Sequence, residues 1–357
     1  MTIMTPQSVD RSVSLTAQAL RKVAHLDWST PAAGLEWSCH DTAVHIASDF
    51  TAYAAQLTGR ASGGYVPFEI SADPGTTPDG LIEVIEATGG LLSAAVAAAG
   101  PGDRAWHPYG TAGADGFAAM GVVETLLHTH DILNALGVHD WEPEPALCEQ
   151  VLDRLFPQAP RADGAAWPVL LWVTGRAGLG ALPRRPVWRW YSEPVAAGRV
   201  VLCEISPQVA ADLHAGGTGG FAWAGDGPGD GTRVASGMVL RAREEGTYRP
   251  GWGPYAIVRT DDRRAIGGIG FHGAPDAEGN AEIGYDLVPS ARGNGYATDA
   301  LNGLAAWAFA QSGLTTLHAS VDADNAPSHG VVTRAGFERT TPAGAAEVRY
   351  VLRAPRV

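Results

Sequence analysis

Between Glu193 and Arg199 the residue pattern of this chain changes period. Before it, apolar residues return every three or four positions over long stretches, as in Val9, Val13, Ala17, Leu20 and Ala24. After it come short runs such as RVVLCEI, YAIVRT, AIGGIGFH and AEIGYDLV, bounded by Gly and Asp. A helical stripe and a strand run bury their apolar faces in different ways, so the change predicts two separate cores. With 357 residues the chain is long enough to build both. We divide it into residues 1–193 and 194–357.

The first part reads as helices over 8–26, from Ser38 to about Leu57, over 79–99 and over 115–136. Ser38 has the character of an N-cap, with Asp41 three residues on, and Gly137 stops the fourth helix. Four amphipathic helices predict an all-α four-helix bundle. WEPEPALCEQVLDRLFP reads as a further helix, and the rest of 141–193 is irregular. The second part alternates strands with the helices TRVASGMVLRAREEG, ATDALNGLAAWAFAQSG and APSHGVVTRAG, followed by a last strand EVRYVLR, which predicts a mixed α/β domain. The Gly-rich tract 214–232 has no apolar period and reads as a mobile loop.

A net charge of −13 and a pI near 5.2 argue against nucleic acid or an anionic membrane as the main partner. Lys22 is the only lysine. Cys39, Cys148 and Cys203 are too scattered for a disulfide framework or a paired-cysteine metal knuckle. The start MTIMTPQSVDRSVS lacks the pattern of a secretory signal, and GLLSAAVAAAG is about half the length that crosses a bilayer. The expected home is a reducing cytoplasm.

The clearest chemistry lies in EIGYDLVPSARGNGYATDALNGLAAWAF. A strand ends near Val288, Arg292, Gly293, Asn294, Gly295 and Tyr296 make a turn, and a helix begins near Ala297. Backbone N–H groups at such a helix start, with the positive end of its dipole, suit a phosphate, and Gly295 and Ala297 let the backbone come close. RGNGYA fits the R-x-x-G-x-A loop of the GNAT acetyltransferases, and NAPSHGVVTRAGF fits the helix ending in Gly-Phe that follows it there. Residues 196–353 resemble that family, most of all its RimJ/RimL type, whose strand reads like AEIGYDL.

This resemblance implies acetyl-CoA at the splay between the AEIGYDL and TLHASVD strands. Its diphosphate would sit on the amides of Arg292 through Ala297, its pantetheine arm on the backbone of Leu287 and Val288, and Asn325 would be a polar contact. Acetyl transfer needs a neutral amine and a proton donor for the leaving thiolate. Glu282 is the candidate base, directly or through water, against the alternative of a solvated strand carboxylate. Where many members place a tyrosine acid this chain has Val332, so Ser328 is the candidate donor and Tyr285 the alternative, with His329 read as an exposed helix residue.

ETLLHTHD, residues 124–131, puts a second group of reactive side chains in an apolar helix. Glu124 and His128 are four apart and share a face, His130 points elsewhere, and Asp131 returns one turn along as an acceptor behind His128. That spacing alone fits either a cation site or an ordinary polar pair. LDWSTPAAGLEWSCHDTAVHIASDF, taken with E-x-x-x-H-x-x-D, LLWVTGR and VWRWYSEP, is similar to the mycothiol-dependent maleylpyruvate isomerase family, a branch of the DinB-like four-helix bundles. This resemblance covers residues 8–193. It implies His45, Glu124 and His128 as ligands of zinc or another divalent metal, with one position left open for a low-molecular-weight thiol, mycothiol. Asp41 and Asp49 share the helical face of His45, while Cys39, His40, His25 and His107 are not expected to be ligands.

The leading expectation is therefore a fusion of a metal- and thiol-dependent isomerase- or transferase-like bundle with an acetyl-CoA-dependent N-acetyltransferase. The alternative makes the bundle a binding, sensing or dimerisation module beside a single enzyme. The acetyl acceptor is left open between a small-molecule amine and a protein N-terminus, and the oligomeric state is not legible.

Overall fold

Helix-forming runs with a single apolar stripe account for the first half of the chain in the computed structural model, which describes residues 3–160, 166–185, 188, 190–191, 193–225, 227–311, 313–340 and 346–354. Two units result. The first comprises residues 1–156 and 161–193, and the second 157–160 and 194–357.

In the first unit, four long helices pack on one another: α1 (Pro6–Arg21), α2 (Cys39–Gly59), α3 (Pro78–Ala98) and α4 (Ala114–Ala135). Two shorter helices, α5 (Pro145–Leu155) and α6 (Ala166–Val173), complete it. Local chemistry sets the ends. The Ser38 side chain accepts from the Asp41 N–H at 3.0 Å, and Gly137 adopts φ +86° just beyond α4. α1 is shorter than its apolar period, starting at Pro6 behind Thr5 and giving way to turns after Arg21. α6 is an element the sequence reading did not isolate; Pro168 sits in its first turn, where no amide is needed. α3 is long and apolar enough to cross a membrane by length and composition, twice the extent of the run singled out above, and half of that window is buried in the bundle.

Close helix approach depends on two glycines. A Cβ on Gly89 would stand 2.4 Å from Val13 Cγ2, and one on Gly121 would stand 2.4 Å from Leu92 Cδ2 and 3.3 Å from Phe50. Overfilling a packed core costs about 1–3 kcal/mol. Gly121→Leu is expected near the upper end, about 3 kcal/mol, read as a lowered thermal midpoint. An unchanged midpoint would show that α3 and α4 have room to separate.

The second unit is built on an eight-stranded sheet in the order β1-β2-β3-β4-β5-β6-β8-β7. Its strands are β1 (Val195–Ala197), β2 (Val200–Glu204), β3 (Pro254–Arg259), β4 (Ala265–Phe271), β5 (Asn280–Leu287), β6 (Thr316–Asp322), β7 (Glu338–Arg339) and β8 (Glu347–Arg353). The helices are α7 (Pro207–His214), α8 (Asp230–Glu244), α9 (Tyr296–Phe309) and α10 (Ala326–Arg334). β1, β7 and α7 are too short or too irregular in period to have stood out in the sequence. The tract 214–232 ends inside α8, which starts at Asp230.

All pairings are antiparallel except that of β5 with β6. That parallel ladder is short, running from Asn280↔Thr316 to Glu282↔His318. Beyond it both strands continue but diverge, so among the described residues one edge of β5 from Ile283 to Leu287 faces no strand. Strand alternation divides the two faces of β4 and β5. Ile269, Phe271 and Ile283 enter the core that holds Leu301 and Leu304 of α9. Gly268, Gly270, Gly284 and Asp286 fall on the face covered by α8.

Candidate functional site

In the first unit α2 and α4 bring His45, Glu124 and His128 together. One ligand atom from each lies within 4.8 Å of the others. His128 Nε2 is 3.1 Å from Glu124 Oε2, and the rings of His45 and His128 meet edge to face with centroids 5.1 Å apart. Helical spacing explains the first contact, and the packing of α2 on α4 the second. His130 does point elsewhere, against Trp167 and Asn134. His107 is buried among Tyr53, Tyr65, Tyr109 and Trp190, away from the three-residue group. Burial pushes the Cys39 thiol up to about 11 and that of Cys148 to about 12, so neither offers a ready thiolate.

Behind His128 stands a buried chain of partners. Its Nδ1 lies 3.2 Å from Asp131 Oδ2, and Arg176 donates to the same carboxylate from Nε at 3.0 Å and Nη2 at 2.7 Å. Asp131 thereby fixes which nitrogen of His128 faces Glu124, and Arg176 fixes Asp131. The Arg176 contribution, 45 residues away, had no local signal beyond its place in LLWVTGR. Asp49 is a further neighbour, 3.3 Å from His45 Nε2. Burial and the Glu124 charge hold its carboxyl well above the usual range. His45 is pulled down by burial and by His128, which keeps its imidazole neutral.

Two imidazoles and a carboxylate at this separation fit a divalent cation such as zinc. Burial works against charge on His128, but Asp131 and Glu124 outweigh it and push His128 up to about 9. A metal must displace that proton. Zinc affinity is therefore expected to rise about tenfold per pH unit up to about pH 9 and then level, as read by competition with a chromophoric chelator. Asp131→Asn is expected to weaken zinc binding about 10–100-fold in the same assay.

In the second unit the turn after β5 has the form the sequence predicts. A 3₁₀ turn, Pro289–Ala291, leads to Gly293 at φ +78° and Gly295 at φ +81°, the N-cap of α9. The successive N–H groups of Gly293, Asn294, Gly295, Tyr296 and Ala297 carry no hydrogen bond to another described residue. Thr298 Oγ1, one residue on, is buried with no partner among the described residues. Five bare amides at a helix start form an anion cradle. It opens on a cavity of about 800 Å³ lined by Tyr285, Leu287, Arg292, Gly293, Gly295, Ala297, Asn325 and Ser328, with Arg334 as a second cation.

Several residues expected here also hold the surrounding scaffold. Val288 is buried and its N–H bonds Ile266 O at 2.9 Å, so it closes β5 onto β4. Asn294 Nδ2 holds the turn through Ala291 O and Arg292 O. The Tyr296 ring lies under Arg199, which pairs with Asp299 at 2.7 Å. Asn325 caps α10 by accepting from the Ser328 N–H at 3.2 Å, and Tyr285 Oη donates to Ser328 O at 3.1 Å. Val332, in the place of the absent tyrosine, is fully buried.

A second cavity, about 690 Å³, lies between α8 and the face of β4 and β5 that it covers. Tyr285 and Asp286 line both cavities and mark where they meet. Glu282 lines neither. It is partly exposed and sits 3.5 Å from His272 Nδ1. Glu282, expected as the base, thus lies near the start of β5, four residues before Asp286 at the junction of the cavities.

Residues 9–133 match the family model of the mycothiol maleylpyruvate isomerase N-terminal domain, and residues 199–338 match that of the GNAT acetyltransferase domain. Each family model thus matches within one of the two units. The chain is 34% identical over 88 residues to YoaA, an uncharacterized N-acetyltransferase of Bacillus subtilis (strain 168), a match that covers 25% of this chain and 48% of the relative. It is 33% identical over 87 residues to YjdG of the same organism, covering 24% and 52%. The chain thus spans about half the length of the curated relatives it matches. Among solved structures, it is similar to a GNAT acetyltransferase from Bacillus anthracis, with 18% identity over 45% of this chain and 99% of that one and a TM-score of 0.32. Another is a ribosomal-protein alpha-N-acetyltransferase, RimL, in complex with coenzyme A, with 17% identity over 45% and 98% and a TM-score of 0.33.

Proposed function

We propose that the GNAT domain transfers an acetyl group from acetyl-CoA to an amine, and that the isomerase-type domain holds a divalent metal for chemistry on a low-molecular-weight thiol. The observation carrying the first part is the run of bare amides at residues 293–297 opening onto the free edge of β5. A diphosphate is matched by the amides together with Arg292 and Arg334, and an amide-bearing arm is matched by the edge of β5 beyond the β6 ladder, where Leu287 O accepts from Arg292 Nε at 3.0 Å. Tyr285 and Ser328, which line the junction-side cavity, are the candidate proton donors to the departing sulfur. The acceptor is a small-molecule amine or a protein N-terminus.

For the isomerase-type domain, His45, Glu124 and His128 would hold the metal, with Asp131 and Arg176 orienting His128. A divalent metal there supplies a positive charge that favours a thiol as its thiolate at neutral pH. Mycothiol is the thiol the family model suggests. The reading places both activities in the cytoplasm, where acetyl-CoA and reduced thiols coexist.

The test of the first part is calorimetric titration of the full chain with acetyl-CoA, followed by an amine panel scored for coenzyme A release. Binding in the micromolar range with amine-dependent release supports the reading. No binding would overturn it.

A further inference from the structure

The face of the sheet under α8 is unusually bare. Gly268, Gly270 and Gly284 follow one another across β4 and β5 where other sheets carry side chains, and they floor the 690 Å³ cavity with backbone. The wall above it comes from α8, where Val234, Ala235 and Met238 turn apolar groups toward the space. Val234 is 63% exposed, a branched apolar side chain held at the cavity with little cover of its own. Arg249, His272, Thr247 and Tyr248 supply polar groups around the rest of the cavity, and among the described residues that line it Asp286 is the one carboxylate.

Asp286 is held in a fixed orientation. Its Oδ1 accepts from Thr232 Oγ1 at 2.9 Å and from the Gly268 N–H at 3.0 Å. It lines both cavities, so it is the carboxylate at the place where an acceptor entering along α8 would meet a thioester entering along β5. Glu282, on the same face, is four residues farther out and paired with His272.

Resting on the acetyl-transfer reading above, we propose that Asp286 receives the acceptor's ammonium group and takes its proton, and that the acceptor is a compact primary amine with an apolar body. The proton passes from the ammonium to Asp286 and on to solvent. The freed nitrogen attacks the thioester carbon, forming the N–C bond as the C–S bond breaks, and the nitrogen's second proton ends on the departing sulfur. Burial supports this by raising the Asp286 carboxyl, against the lowering by Thr232 and the Gly268 amide, toward the range useful for a base. A free amine suits the slot better than a polypeptide. The β3–β4 and β4–β5 ladders already use both edges of β4, so that strand offers a peptide no free edge, and the free edge of β5 is the one assigned above to the coenzyme's arm.

The experiment uses the full chain with phenethylamine, spermidine and an unblocked alanyl peptide as probes, comparing wild type, Asp286→Asn and Glu282→Gln. Asn keeps the oxygen that Thr232 and Gly268 bond, so folding is expected to survive, and a thermal midpoint checks it. Wild type is expected to prefer phenethylamine. Asp286→Asn is expected to lower kcat for it about 1,000-fold, with acetyl-CoA affinity changed less than about threefold. Activity within about threefold of wild type in Asp286→Asn, or a comparable loss in Glu282→Gln alone, would overturn the assignment of Asp286. Preference for the peptide would overturn the acceptor class. Failure of wild type to bind acetyl-CoA would instead bring down the underlying acetyl-transfer reading.

Discussion

Gly295→Val is expected to lower acetyl-CoA affinity about 100-fold, with the fold intact, in a calorimetric titration. Gly295 sits at φ +81°, and a Cβ there would stand 2.9 Å from Arg199 Nη2. Holding a branched residue in that conformation costs about 1–3 kcal/mol, and every tenfold in affinity is about 1.4 kcal/mol. The turn would relieve the strain by rotating, and rotation scatters the five amides that converge before α9. Arg199, paired with Asp299 and lying on the Tyr296 ring, would have to swing aside, so the strained backbone at Gly295 carries the larger part of the effect. Affinity within about threefold of wild type would mean that the cradle does not hold the diphosphate.

The paired substitution His45→Ala/His128→Ala is expected to reduce bound metal from about one per chain to near zero, measured by plasma mass spectrometry on protein purified without chelators or a His tag. Glu124 alone keeps one of the three donors, and a single carboxylate does not hold zinc against water. Thiol-dependent turnover should vanish with the metal. Acetyl transfer should be retained if the isomerase-type domain is an enzyme in its own right. If the variant instead alters only acetyl transfer, the domain is a sensing or binding module. A wild type that takes up no metal, even after zinc is supplied and excess removed, would sink the metal reading.

Local signals carried most of what the sequence revealed. Ser38 capping α2, the four-residue spacing of Glu124 and His128, and the strand-turn-helix around Gly295 each depend on residues within one turn of one another. His45 entered through family resemblance, because nothing along the chain says that α2 lies against α4. Long-range partners were invisible for the same reason. Arg176 reaches Asp131 only because α6 folds back on α4, and Thr232 reaches Asp286 only because α8 crosses β5. Glu282 and Asp286 share a face by alternation, yet their depths differ because β6 ends its pairing at Glu282 and α8 covers Asp286. A carboxylate's role depends on that depth, which no pattern of residue types records.

The diverging edge of β5 has a consequence for handling the protein. Unpaired strand edges are templates for joining other chains, and folded proteins usually blunt them with charge, proline or a covering segment. Here Ile283, Gly284, Tyr285 and Leu287 offer little charge along that edge, with Asp286 turned toward α8. Shelter comes from the gap itself, since β6 and α10 stand on its far side. A small molecule lying in the gap would finish the sheet and silence the edge. Preparations stripped of coenzyme should therefore cluster on storage sooner than saturated ones, a difference light scattering can follow.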